Sequence, residues 1–250
     1  MKRIASLACA LTLAAPMAGA EIVGEPYRYT VDGAEFEGYV ARNTNIPESR
    51  GTVLIVHDWD GLTEYERRRA EMLAALGYTA FAVDVYGADV DPQGVDDYRR
   101  LTGALYSDRE TFRTRLRGAT AAADDIPGAT GNRVLTGYCF GGQAVLEGAR
   151  AGLEMDGFVT FHAGLGVPGG QDYSAVTAPI LLNHGSADPV SGLNDLAAEI
   201  EAMKAADVAH DAHIYGGARH SFSVFGSDDY DLAADRASWE AFTAFLDEHL

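Results

Sequence analysis

Cysteine and lysine are what this sequence has least of. Its 250 residues hold two cysteines, Cys9 and Cys139, and two lysines, Lys2 and Lys204. So few thiols exclude a disulfide-built scaffold, and a chain of this length buries a core without disulfides or structural zinc. Basic charge is short as well. Nineteen Lys and Arg stand against 37 Asp and Glu, for a formal charge of −18. A surface of that sign repels phosphate backbones and anionic lipid, which argues against nucleic acid as a partner. What remains is ordinary globular composition, 47% apolar and 22% charged, with neither repeats nor low-complexity tracts.

The first twenty residues form a unit of their own. Lys2 and Arg3 give a positive start, Ile4 to Ala15 a short apolar run, and Pro16 breaks it ahead of Ala18-Gly19-Ala20. A basic start, a run too short to span a membrane and a small-residue cleavage site predict a signal peptide over residues 1–20, cut after Ala20. The mature protein is then expected to be periplasmic or secreted, without stable membrane insertion. It would carry Cys139 as its one thiol, either an inert core residue or a working one.

Residues 21–250 read as a single domain. Short apolar runs at 53–56, 80–83, 134–136, 158–161 and 180–182 are apolar on both faces, as central parallel strands are. Helical patterns fall near 63–76, 95–106, 109–124, 141–151, 192–205 and 231–248. Tyr27 to Val40 predicts an opening hairpin turning at Asp32-Gly33, and 210–215 a last strand. The alternation predicts an α/β fold with a doubly wound, mostly parallel sheet. Oligomeric state is left open.

The strongest local signal is Gly137-Tyr138-Cys139-Phe140-Gly141-Gly142, between a buried strand and a helix. That is the context of a nucleophile elbow, here G-x-C-x-G, in which a strained turn presents the central side chain above the sheet. A helix N-terminus and a histidine nearby would favour the thiolate. Asp188, in Ser186-Ala187-Asp188-Pro189, and His220, in His220-Ser221-Phe222, each follow a strand. The order nucleophile, acid, histidine is that of α/β-hydrolases, and loops at the carboxyl ends of parallel strands converge. Cys139, His220 and Asp188 are thus the candidate catalytic residues. The backbone N–H groups of Trp59, in the loop after the strand ending at Val56, and of Phe140 are the candidate oxyanion hole.

This assembly resembles the dienelactone hydrolase (carboxymethylenebutenolidase) family, a cysteine-nucleophile branch of the α/β-hydrolase fold. The resemblance runs from the strand before His57 to the helix after His220. It implies hydrolysis of a small carboxylic ester or lactone through an acyl-thiol intermediate, with no metal and no organic cofactor. It also implies a thiol-modulating carboxyl at Asp58, where the family carries a glutamate one methylene longer. Two arginines grip substrate carboxylate in the family; Gly87 and Ala88 follow Asp84-Val85-Tyr86 where one would stand and Val224 replaces the other, so neutral substrates are expected. A thioesterase or acyl transferase using the same triad, and a non-catalytic binding module on the same fold, are the alternatives.

Other signals carry less. His162 and Ser221 are candidate pocket residues, and His184 is expected to pack the Asp188 loop. Gly164-Leu165-Gly166-Val167-Pro168-Gly169 has dinucleotide-loop spacing, but Pro168 and the polar stretch beyond it do not open a helix. His210 and His213 lie three apart on a strand, on opposite faces, and do not share a metal. Arg67-Arg68-Arg69 reads as a solvated helix face among Glu64, Glu66 and Glu71.

Overall fold

The computed structural model describes residues 21–250. Residues 1–20, where the sequence predicts a signal peptide, lie outside the described residues. The chain opens with a hairpin, β1 (Ile22–Val31) and β2 (Ala34–Asn43). Its two-residue turn places Asp32 at φ 50° and Gly33 at φ 81°, the left-handed pair that matches strand twist in a tight hairpin. Then come β3 (Thr52–Val56), α1 (Glu64–Ala75), β4 (Thr79–Val83), α2 (Val95–Ser107), α3 (Arg109–Ala122), β5 (Arg133–Tyr138) and α4 (Phe140–Arg150). The chain ends with β6 (Gly157–Phe161), β7 (Ile180–Gly185), α5 (Leu193–Ala205), β8 (His210–Tyr215) and α6 (Leu232–His249).

These strands form one eight-stranded sheet in the order β1-β2-β4-β3-β5-β6-β7-β8. The hairpin and its pairing to β4 are antiparallel, and every other pairing is parallel. The crossover β3-α1-β4 followed by the jump to β5 puts helices on both faces. Strand alternation shows it. Leu54 and Val56 join the core under α3, α4 and α5, with Phe112, Val145 and Met203. Val53 and Ile55 join the core under α1 and α6, with Leu73, Phe242 and Leu246. Being buried on both faces, β3, β4 and β6 are apolar throughout, with Thr at the few polar positions. This arrangement gathers the loops after β3, β5, β6, β7 and β8 at one edge, where a parallel sheet places its ligands. Among the described residues, no helix is long and apolar enough to cross a membrane.

Candidate active site

The turn from β5 into α4 is set by close approach of backbones. Cys139 stands at φ 51°, ψ −109°, a conformation that L-residues avoid, and is the N-cap of α4. Its N–H is fixed by the Phe161 carbonyl of β6 at 3.0 Å. A Cβ on Gly137 would overlap the Gly141 carbonyl, and one on Gly141 would overlap the Val56 carbonyl of β3. Only glycine at these positions lets the helix start this close to the sheet.

Three sequence-predicted side chains meet here. His220 Nε2 lies 3.0 Å from Cys139 Sγ, and His220 Nδ1 lies 2.7 Å from Asp188 Oδ2. The other Asp188 oxygen accepts the N–H groups of Val190 (2.7 Å) and Ser191 (3.1 Å). Burial raises the Asp188 carboxyl, but its bonds to His220, Ser191 and Val190 outweigh that and hold it below the usual carboxylate range. It is therefore ionised beside the ring. His184, buried, reaches the Ser191 carbonyl at 2.8 Å and so packs the Asp188 loop.

The thiol departs from expectation. Burial, then the adjacent Asp58 carboxyl, push Cys139 well above the ordinary thiol value, and the Phe140 N–H only partly offsets them. The helix N-terminus does not win, because burial and then the Asp58 carboxylate both oppose the charged thiol. Both causes favour the neutral thiol, although Cys139 itself is only half-buried. Asp58 itself is pushed up to about 7 by burial, against the opposing pull of the Trp59 N–H.

Asp58 also bears on the candidate oxyanion hole. The Trp59 N–H donates to Asp58 Oδ1 at 2.5 Å, so one of the two expected donors is engaged by its own neighbour. The loop is braced by Glu66, fully buried. Its carboxylate accepts the Asp58 N–H (3.2 Å) and the Thr63 N–H (2.8 Å), the second of these closing a capping box at the start of α1. Thr63-x-x-Glu66 was a readable signal for that brace. Tyr86 is a wall that the sequence did not announce. Its hydroxyl donates to the Trp59 carbonyl at 2.8 Å, and its ring lies 5.6 Å from that of Phe140. Beside this loop a cavity of ≈ 330 Å³ is lined by Asp60, Leu62, Tyr86 and Tyr98, its charges being those of Glu37, Asp60, Asp84 and Asp91 against Arg67.

Several expectations need correcting. His162 does not line a pocket. It is fully buried, stands at φ 38°, and lies behind His220 with ring centroids 5.4 Å apart. Ser221, unlike His162, keeps the partial exposure a pocket residue needs, and its carbonyl accepts the Val224 N–H. The serine with side-chain bonds is Ser223, fully buried. Nor is Arg67-Arg68-Arg69 one solvated face. Arg68 is exposed and pairs with Glu64 and Glu71, but Arg69 is 1% exposed, ion-paired to Asp235 and set among the rings of Tyr65, Tyr138, Phe225 and Trp239. An α1 residue at that angle points to α6, which a charge pattern cannot reveal. The glycine-rich stretch at 164–169, by contrast, runs into turns rather than a helix, as its Pro168 led one to expect.

Comparison with known proteins gives the same reading from another side. The model of the dienelactone hydrolase family matches residues 36–250. A relative in Escherichia coli (strain K12) named "Putative carboxymethylenebutenolidase" is 24% identical over 229 residues, 87% of this chain and 84% of that one. A Bradyrhizobium protein named "Probable 2-oxo-3-(5-oxofuran-2-ylidene)propanoate lactonase" is 24% identical over 79% of this chain and 84% of its own. The crystal structure of a dienelactone hydrolase-like promiscuous phosphotriesterase from metagenomic libraries superposes with TM-score 0.85 and 28% identity. It covers 92% of this chain and 99% of that one.

Proposed function

The chain belongs to the dienelactone hydrolase family, with its α/β-hydrolase fold, and is a carboxylic ester or lactone hydrolase; on that premise we propose that Cys139, His220 and Asp188 carry its chemistry through an acyl-thiol intermediate. The observation that supports this best is the line from Sγ through the His220 ring to Asp188, 3.0 Å and 2.7 Å long. With the thiol pushed toward its neutral form, His220 acts as general base during attack rather than as half of a standing ion pair. The thiol proton passes to Nε2 as the S–C bond forms. The imidazolium is stabilised by ionised Asp188. The same proton then goes to the leaving oxygen as its bond to the acyl carbon breaks. Water, deprotonated by His220, attacks the thioester, the C–S bond breaks and the thiol regains its proton. The N–H groups of Trp59 and Phe140 serve the oxyanion once Asp58 releases the first of them.

Neutral small esters or lactones fit the site better than anionic ones. Val224 stands where the family carries an arginine, and Arg219, the nearest cation in sequence to His220, is paired with Asp229 at 2.7 Å. The acidic cavity beside Trp59 agrees. A second reading comes from the phosphotriesterase neighbour. The same thiol would attack phosphorus of a neutral triester, the P–O bond to one alkoxy or aryloxy group breaking as that oxygen takes the proton His220 drew from the thiol. We further propose that residues 1–20 direct the protein out of the cytoplasm, so that the recovered chain begins at Glu21.

The test is a panel of p-nitrophenyl esters, lactones, acyl-thioesters and a p-nitrophenyl phosphotriester, run before and after stoichiometric alkylation of Cys139. Turnover of carboxylic esters that disappears in step with alkylation is expected. Full activity after alkylation would refute Cys139 as nucleophile. Folded protein that turns over none of the panel would favour a binding module.

A further inference from the structure

His220 sits in a segment with little regular structure to hold it. Between β8 and α6 the chain runs as successive turns. The backbone bonds from 220–223 are few, chiefly Val224 N–H to the Ser221 carbonyl (3.0 Å) and Asp231 N–H to the Phe222 carbonyl (2.9 Å). A general base on such a segment needs side chains to fix its direction.

Those side chains converge on Ser223. Arg69 Nη2 donates to its carbonyl at 2.8 Å, Tyr65 Oη lies 3.0 Å from its Oγ, and His162 Nε2 lies 2.9 Å from the same Oγ. Arg69 Nε in turn donates to Tyr65 Oη at 3.2 Å. The proton assignment that leaves fewest orphans runs one way: Arg69 to Tyr65, Tyr65 to Ser223, Ser223 to His162 Nε2. His162 Nδ1 is then the one atom of the run without a partner, buried and unpaired. Leaving that atom unpaired carries a cost, and the backbone φ of 38° is a second cost at this position. A residue kept at such expense is expected to act on something beside it. What lies beside it is His220, its ring 5.4 Å away at 63°, and Phe222, 5.3 Å away at 82°. Burial, and then His220 itself, hold His162 well below the ordinary histidine value, so it stays neutral while its neighbour takes up protons.

We infer that His162, acting through the Ser223 hydroxyl and through ring contact, is a positioning residue that fixes the direction in which the His220 imidazole faces Cys139. The inference rests on His220 being the base proposed above. His162 touches neither thiol nor substrate; it limits how far the His220 ring can turn on its loop.

Ser223→Ala and His162→Phe test it, with Ser223→Thr as the conservative variant that restores the hydroxyl. Ester turnover in the first two is expected to fall about tenfold to a hundredfold in kcat with KM little changed, because the geometry of attack is lost and binding is not. The far-downfield proton resonance of the His220 Nδ1–H bonded to Asp188 should broaden or vanish in both, and return with kcat in Ser223→Thr. Ser223→Ala should remain folded, with its thermal unfolding lowered only by the two buried groups it leaves unpaired. If the resonance stays sharp in folded Ser223→Ala, the network is a structural brace only and the inference fails, whatever kcat does. Should His162→Phe fail to fold, Ser223→Ala and its threonine rescue decide. A parent protein with the resonance but no turnover would sink the hydrolase reading and leave the positioning test intact, since the resonance needs no substrate.

Discussion

Cys139 and His220 face each other across 3.0 Å, yet the chain holds them in place by opposite means. The cysteine is held by backbone. Its φ of 51°, its N–H on Phe161 and the two glycines pressed against carbonyls all belong to a strand-turn-helix junction a few residues long. The histidine is held by side chains from far away. Ser223 is reached by Arg69 from 154 residues earlier and by His162 from 61 residues earlier. A thiol fixed by backbone needs no partner to be found, whereas a ring fixed by side chains depends on several separate elements docking correctly.

The largest effect that tests this contrast lies on the histidine side. Arg69→Met would strand the buried Asp235 carboxylate and remove the hold on Ser223. Breaking a buried pair from one side costs about 3–5 kcal/mol, which urea unfolding would read directly. A loss below about 1 kcal/mol would mean that the aromatic rings around Arg69, not its charge, do the holding.

On the cysteine side the expected effect is smaller and steric. In Gly141→Ala the added methyl meets the Val56 carbonyl, so α4 or β3 must move, at about 1–3 kcal/mol. The alkylation rate of Cys139 should change with it, because the turn shifts as a unit. A variant as stable and as reactive as the parent would show that the turn is not held by close approach.

The smallest effect concerns the thiol's environment and sharpens the contrast by charge alone. Asp58→Asn keeps an acceptor for the Trp59 N–H but removes the anion beside Sγ. Alkylation by iodoacetamide should then be faster, by about tenfold if one pKa unit of the thiol's elevation comes from Asp58. The gap should close below about pH 7, where the Asp58 carboxyl of the parent is itself protonated. The stability sign follows from the same shift. A carboxyl raised from 3.8 to about 7 in the folded chain binds its proton more tightly there than when unfolded. The parent therefore loses stability as pH rises from about 4 through about 7, and Asp58→Asn does not. Parallel alkylation profiles in the two proteins would remove Asp58 from the account.

The strands, the helices and the hairpin at Asp32-Gly33 were all legible, because two-sided apolar runs and left-handed turn residues are local properties. The cysteine turn was legible for the same reason, and strand-end spacing brought Asp188 and His220 to it. The errors share a cause. The sequence reading put Arg69 in solvent because its neighbours are charged, although one turn of helix rotates it onto α6. It put His162 at a rim because a strand ends there, although the chain turns it inward behind His220. It let a helix N-terminus favour the thiolate, without the burial and the Asp58 carboxyl that push the thiol the other way.

By itself, then, the sequence determined the order of elements, the turn at Cys139 and the three residues that meet, since each follows from periodicity, glycine placement and the convergence of strand ends. Only the tertiary structure decided how His220 is aimed, whether the thiol is charged at rest and which arginine is buried. Those depend on distances between side chains far apart in the chain, and in a low-dielectric interior a few ångströms decide which interaction wins.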